Sequence, residues 1–280
     1  MKITQFMCAQ QLYLNFTPDS MTITVLCLLL ALISYLWMVS KRNKNAPATT
    51  NELAGYADLL NKNVDFYQEL DDAGKKRFVK LVDGFLQNVH IEGVGFIINR
   101  LDKVLVAASA VIPVFGFPGW EYKNLTNVVL YPDTFDHEYQ YEGSDREIMG
   151  MVGSGSMNGQ MLLSRSALLR GFSKNSSTEN TGIHEFVHLL DKSDGATDGV
   201  PEYLVAHQYV IPWLQMMHRE MHRIKDGRSD INPYAVTNEA EFLAVASEYF
   251  FEQPERFEDK HPELYKQLSL IFAQDPAANV

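Results

Sequence analysis

In the string TGIHEFVHLLD, His184 and His188 stand four residues apart, and Glu185 directly follows the first of them. On an α-helix this H-E-x-x-H spacing turns both imidazoles to one face, where they reach a single metal ion. Glu185 sits beside the first ligand and is placed to address a metal-bound water rather than the metal, as a general base must be. The chemistry this predicts is zinc-dependent hydrolysis with one Zn2+ per chain. A catalytic zinc takes three protein ligands and keeps one position open, so a third ligand must come from elsewhere in the chain.

The metzincin pattern does not supply it, because Asp191 stands where its glycine belongs and Asp194 where its third histidine belongs. The later segment NPYAVTNEAEFLAVASEYFFEQPERF offers Glu239, Glu241, Glu248 and Glu252. Glu241 and Glu248 share one helical face with small and apolar neighbours, which points them inward. Asn238 followed three residues later by Glu241 also resembles a capping box, so spacing alone leaves the choice open. His218 and His222 are again four apart, but Arg219 and Arg223 flank them and they read as a solvated helix face. No G-x-x-x-x-G-K-[ST] string marks a phosphate-binding loop. The glycine-rich stretch MVGSGSMNG, residues 151–159, reads as a loop at the rim of an active site.

The elements that carry these residues follow from periodicity. In KKRFVKLVDGFLQNV the apolar residues recur at helical spacing, which predicts an amphipathic helix. LTNVVLYP and QMLLSRSALL are short, apolar and bounded by turn residues, which predicts strands. Long helical segments are expected around His184, Trp213 and Phe242, giving an α+β domain that is helix-dominated toward its C-terminus. Residues 21–40 carry no charge and number enough for a transmembrane helix. Lys41, Arg42 and Lys44 follow at once, so the positive-inside rule places the large domain on the cytoplasmic side of a bacterial inner membrane, held by a single pass. The expected organisation is a tail (1–20), a transmembrane helix (21–40), a polar linker (41–51) and a zinc peptidase domain (52–280). The formal net charge of −11 disfavours nucleic acid as a partner, and two cysteines in 280 residues cannot build a disulfide framework.

GIHEFVHLLDKSDGATDGVP, YAVTNEAEFLAVASEYFFEQPERF and LYKQLSLIFAQDP together resemble the Mlc titration factor A family of bacterial zinc peptidases, over nearly everything after Glu69. The resemblance implies a zincin-like, helix-rich α+β fold with a small sheet, of the gluzincin type. It implies that His184, His188 and Glu241 bind zinc, that Glu185 is the catalytic base and that Tyr234 lies beside the metal. The seven-residue step from Tyr234 to Glu241 is also similar to that in the anthrax lethal factor catalytic domain. Aminopeptidase-like cleavage of a peptide or protein substrate is the activity implied. The family is named for sequestering a glucose-responsive transcriptional repressor, which makes regulatory binding of such a repressor the competing expectation.

Overall fold

The polar run before the folded region ends in a helix cap. Thr49 Oγ1 accepts a hydrogen bond from the Glu52 amide at 3.3 Å, and Glu52 Oε2 accepts one from the Thr49 amide at 2.8 Å. This capping box starts α1 (Thr50–Asn63). The structure is a computed structural model that describes residues 23, 25–35, 48–141, 146–153, 157–173, 178–201 and 207–279. The chain divides into two compact units, Met1–Ala46 and Pro47–Val280.

In the first unit the described residues are helical at Ile23 and from Val25 to Tyr35. Among the described residues no helix is long and apolar enough to cross a membrane. This corrects the expectation of a single-pass inner-membrane protein with a transmembrane helix at 21–40. Counting uncharged residues measures how long an apolar run is, whereas the described helix covers only part of that run. The tail 1–20, the remaining residues of the run and linker residues 41–47 lie outside the described residues.

In the second unit α1 is followed by α2 (Asp65–Glu69), α3 (Asp72–Asn88), β1 (His90–Gly93) and α4 (Arg100–Val114). The stripe predicted on α3 is buried at Phe78, Val79 and Val82. Every residue of α4 from Val104 onward is buried, so an apolar helix without a polar face becomes the central post of the domain. Strands β2 (Asn127–Tyr131), β3 (Gly150–Val152) and β4 (Gln160–Ser164) complete a four-stranded sheet in the order β1-β2-β4-β3. The first three in that order run parallel, and β3 is the antiparallel edge.

Both faces of the sheet are covered, which explains the unbroken apolar strings in β2 and β4. Val128, Leu130, Met161 and Leu163 enter the main core. Val129, Tyr131 and Leu162 form a second cluster with Phe135. QMLLSRSALL is strand only as far as Ser164, whose hydroxyl caps α5 (Arg165–Gly171). Next come α6 (Thr181–Asp191), α7 (His207–Lys225), α8 (Glu239–Glu252), α9 (Pro254–Lys260) and α10 (Pro262–Phe272). The result is a helix-rich α+β domain with a small sheet, as the sequence predicts.

Helix α6 packs between α4 and α8. The approach to α4 is close at Gly182, where an added Cβ would lie 2.2 Å from Ser109 Oγ and 2.9 Å from Ser109 Cβ. Ser109 is fully buried and cannot swing into solvent. Gly182→Ala is therefore expected to lower the thermal midpoint, at a cost of about 1–3 kcal/mol from overpacking. Adding Ser109→Gly should recover part of the loss; additive effects in a double-mutant cycle would mean that this contact does not set the helix spacing.

Candidate metal centre

Asn180 opens α6 by accepting a hydrogen bond from the Ile183 amide through Oδ1 at 3.1 Å. Ile183, Phe186, Val187 and Leu190 then bury the core face, and Phe186 stacks edge-on against Phe85 at 5.6 Å between centroids. With that face fixed, His184 and His188 turn together toward the N-terminal turn of α8. Asn238 caps α8 by accepting from the Glu241 amide at 2.9 Å. The Glu241 carboxylate faces the two imidazoles instead of returning to the cap.

His184 Nε2 and His188 Nε2 are 3.1 Å apart, and Glu241 Oε2 is 3.0 Å from the first and 3.4 Å from the second. Ligands about 2.05 Å from a tetrahedral zinc stand roughly 3.3 Å from one another. The three donor atoms have that spacing, and two facing ring nitrogens need a cation or a shared proton between them. The residues therefore fit a divalent metal, and the mixed nitrogen and oxygen donor set is one that zinc and other first-row ions accept. Among the described residues this is the group of His, Cys, Asp and Glu side chains able to hold a metal.

Behind the donors, Glu248 Oε1 stands 2.7 Å from His184 Nδ1, and its Oε2 accepts a hydrogen bond from the Asn180 amide. Asn180 in turn donates from Nδ2 to Glu252 Oε1 at 2.8 Å. Such a carboxylate behind an imidazole fixes its tautomer and raises its basicity. His188 Nδ1 is buried and, among the described residues, has no hydrogen-bond partner. The four glutamates that the sequence left open thus have distinct surroundings. Glu241 meets the imidazoles, Glu248 supports His184, Glu252 holds Asn180, and Glu239 pairs with His218 at 2.9 Å on the surface.

Glu185 is 6% exposed. Burial raises its pKa, the neighbouring imidazoles oppose the rise, and Glu241 and Glu248 add to it. The carboxylate lies against the backbone of β3, where a Cβ on Gly150 would come within 2.6 Å of it. Burial would raise Glu241 as well, but hydrogen bonds and charge from His184 and His188 hold it down to about 2. Burial alone would depress His184, yet Glu248 and Glu241 lift it well above the usual imidazole range. Three carboxylates around two imidazoles give the cluster a surplus of negative charge, which favours a cation.

Tyr234 lies on a 3-10 turn, Pro233–Val236, with its ring centroid 6.2 Å from that of His184. Burial, then the charges of Glu241 and Glu185, raise its pKa, so it remains a donor at neutral pH. Tyr234, His184, Glu185, His188, Glu241 and Gly150 all line one cavity of about 550 Å³. Sequence reasoning placed residues 151–159 in a loop, but Met151 and Val152 belong to β3. It had no signal for Gly150 or Asn180, since a single glycine and a single cap residue acquire meaning only from what packs on them.

Residues 37–273 match the family described as glucose-regulated metallo-peptidase M90. The chain is 30% identical over 221 residues to Mlc titration factor A of Cronobacter sakazakii, covering 74% of this chain and 82% of that protein. It is 28% identical to Mlc titration factor A of Escherichia fergusonii, covering 88% of this chain and 93% of that one. An uncharacterized protein of Synechocystis is 26% identical over 278 residues, 92% of this chain and 98% of the other.

One buried acid makes a measurable prediction. Burial pushes Glu252 up to about 8, against the lowering effect of the Asn180 hydrogen bond and with the Glu248 and Asp65 charges adding to the rise. The native chain then keeps a proton that the unfolded chain releases near pH 4.5, so stability declines as pH rises from about 5 to about 8. Glu252→Gln keeps an acceptor for Asn180 and removes the charge. It is expected to flatten this decline and to stabilise the protein at pH 8 by on the order of 1 kcal/mol. Denaturant titrations at pH 5 and pH 8 check this, and an unchanged pH dependence would show that Glu252 is ionised throughout.

Proposed function

Because the chain belongs to the glucose-regulated M90 metallo-peptidase family, we propose that it is a zinc-dependent peptidase. In this reading residues 52–280 form the peptidase domain, and His184, His188 and Glu241 hold the metal. The observation that carries the reading is the position of Glu185. A buried carboxylate lies beside three converged donor atoms and faces a cavity large enough for a segment of peptide. A purely structural metal site has no use for such a group, which is costly to bury.

Zinc, when bound, supplies a Lewis acid that polarises a peptide carbonyl and makes water a stronger acid. Glu185 takes the proton of the attacking water and delivers it to the leaving amine. Its burial raises its pKa, which brings a carboxylate closer to the operating range of a base at neutral pH. Tyr234 donates its phenolic hydrogen to the developing oxyanion, a kind of contact whose loss costs on the order of 10²- to 10³-fold in rate. Glu248 holds His184 in the tautomer that presents Nε2 to the centre. The substrate lies extended along β3, whose outer edge is unpaired among the described residues.

A second reading is favoured by the relatives named Mlc titration factor A. In it the chain binds and titrates a repressor of the Mlc kind, and hydrolysis is secondary. Binding of this sort needs a surface and not a base, so the two readings separate at Glu185.

The test uses the full chain with zinc analysis, aminoacyl anilides and blocked internal peptides, the two substrate types distinguishing aminopeptidase from endopeptidase action. One zinc per chain is expected. Glu185→Gln should keep the metal and lose hydrolysis by at least about 10²-fold, while His188→Ala should lose the metal. Hydrolysis that survives Glu185→Gln would remove Glu185 as the base. Absence of hydrolysis in the zinc-loaded wild type, together with stable capture of an Mlc-type repressor by both forms, would put the titration reading in its place.

A further inference from the structure

A second cavity, of about 630 Å³, adjoins the metal-site cavity, and Val152 and Lys192 line both. Its walls are apolar and aromatic, formed by Phe117, Trp120, Tyr122, Val152 and Leu189. The aromatic wall is continuous, with Phe117 and Trp120 centroids 6.4 Å apart and Trp120 and Tyr122 centroids 6.3 Å apart. It is also anchored. Tyr122 donates to the Ala110 carbonyl at 2.8 Å and packs on Phe186 of the H-E-x-x-H helix at 5.2 Å between centroids. Phe117, Trp120 and Tyr122 are all partly exposed. A pocket of this size that combines an aromatic and apolar wall with polar side chains such as Asn124, Gln160 and Lys192 is typical of a ligand site.

Strand β3 links the two cavities. Gly150 abuts Glu185 in the first, and Val152 lines the second. Lys192 Nζ donates to the Gly153 carbonyl at 3.1 Å and ties the end of α6 to the end of this strand. Alternate residues of a strand point to the same face and lie roughly 7 Å apart. Gly150 and Val152 therefore share the face that looks toward α6, whereas Met151 packs into the cluster on the opposite face. A peptide paired to the edge of β3 that is unpaired among the described residues follows the same alternation. If the residue opposite Gly150 carries the carbonyl attacked by the water that Glu185 deprotonates, the residue two positions along, opposite Val152, directs its side chain into the second cavity.

We propose that this cavity is a specificity subsite that accepts a bulky aromatic or branched aliphatic side chain, two residues along an extended peptide from the residue held at Glu185. Trp120 stands in the middle of its aromatic wall, between Phe117 and Tyr122. The inference rests on the peptidase reading, and its test separates the two.

A peptide library on the full-length zinc-loaded chain, scanned one position at a time, should show one position, two residues from the residue held at Glu185, where Phe or Leu exceeds Ala by about ten- to hundredfold in kcat/KM. Trp120→Ala should shrink that ratio by about tenfold, with zinc content and circular dichroism matching the wild type. The same peptides titrated onto Glu185→Gln by fluorescence anisotropy should show the same order of affinities. Cleavage without an apolar preference at any such position, or a preference that persists in a folded Trp120→Ala, would overturn the subsite and leave the peptidase standing. If no peptide is cleaved, the anisotropy series decides: tighter binding of the Phe peptide than the Ala peptide supports the pocket, and equal binding overturns it. The wild-type library decides alone if Trp120→Ala does not fold.

Discussion

The imidazole of His184 is held between two carboxylates that stand two turns apart on α8, Glu241 at Nε2 and Glu248 at Nδ1. Seven residues advance a helix by about 10 Å, so only a ring lying across the space between those turns can meet both. This one ring therefore sets the crossing of α6 over α8. The crossing in turn requires α6 to sit close to α4, which the missing side chain of Gly182 allows. Asn180 joins the set by capping α6 while donating to both Glu248 and Glu252. The N-terminus of one helix and the inner face of another are thereby locked through a single asparagine.

The centre is asymmetric in consequence. His184 has a carboxylate behind it, and His188 has a buried Nδ1 without a hydrogen-bond partner among the described residues. The first imidazole is fixed at both ring nitrogens by carboxylates, whereas the second meets Glu241 at Nε2 alone and owes the rest of its orientation to helix packing through its neighbours Val187 and Leu190 in the core. An excess of carboxylates over imidazoles raises the affinity of the site for positive charge, and burial strengthens the effect by excluding water. The same burial raises the pKa of Glu185, so the environment that favours a cation also raises the basicity of the group beside it.

Much of this was legible in the sequence, and the reasons for success and failure are physical. His184 and His188 share a face because the helix period dictates it. The apolar runs of β2 and β4 announced strands because both sheet faces are covered. Glu241 and Glu248 could be placed on one face, but which of them meets Nε2 depends on the crossing of two helices, and spacing within one helix cannot encode that. Strand β3 was hidden because three residues carry no periodicity and glycine is a poor strand signal. The uncharged run at 21–40 is not matched by a helix long and apolar enough to cross a membrane among the described residues, and composition over a window does not report helix length. Aromatic residues between 117 and 122 gave no functional signal, because they become a wall only when the chain turn at Gly119 folds them back beside α6.

Strand β3 is the element through which these parts act together. It is short, lies at the sheet edge and pairs only with β4 among the described residues, so its own stability is modest. Its position is instead fixed from the helical side, by Glu185 against Gly150 and by Lys192 on the Gly153 carbonyl. Both of those side chains belong to the helical stretch 181–194 that carries the H-E-x-x-H motif. One stretch of chain therefore carries two of the proposed ligands and the proposed base, and it also sets the distance between that base and the strand on which a peptide would lie. A strand held this way needs no length, because its register relative to the site comes from side chains rather than from a long ladder of backbone hydrogen bonds. A Cβ at position 150 would lie 2.6 Å from the Glu185 side chain, so strand and carboxylate could not both keep their places, which ties the geometry of the candidate centre to the strand that also borders the aromatic pocket.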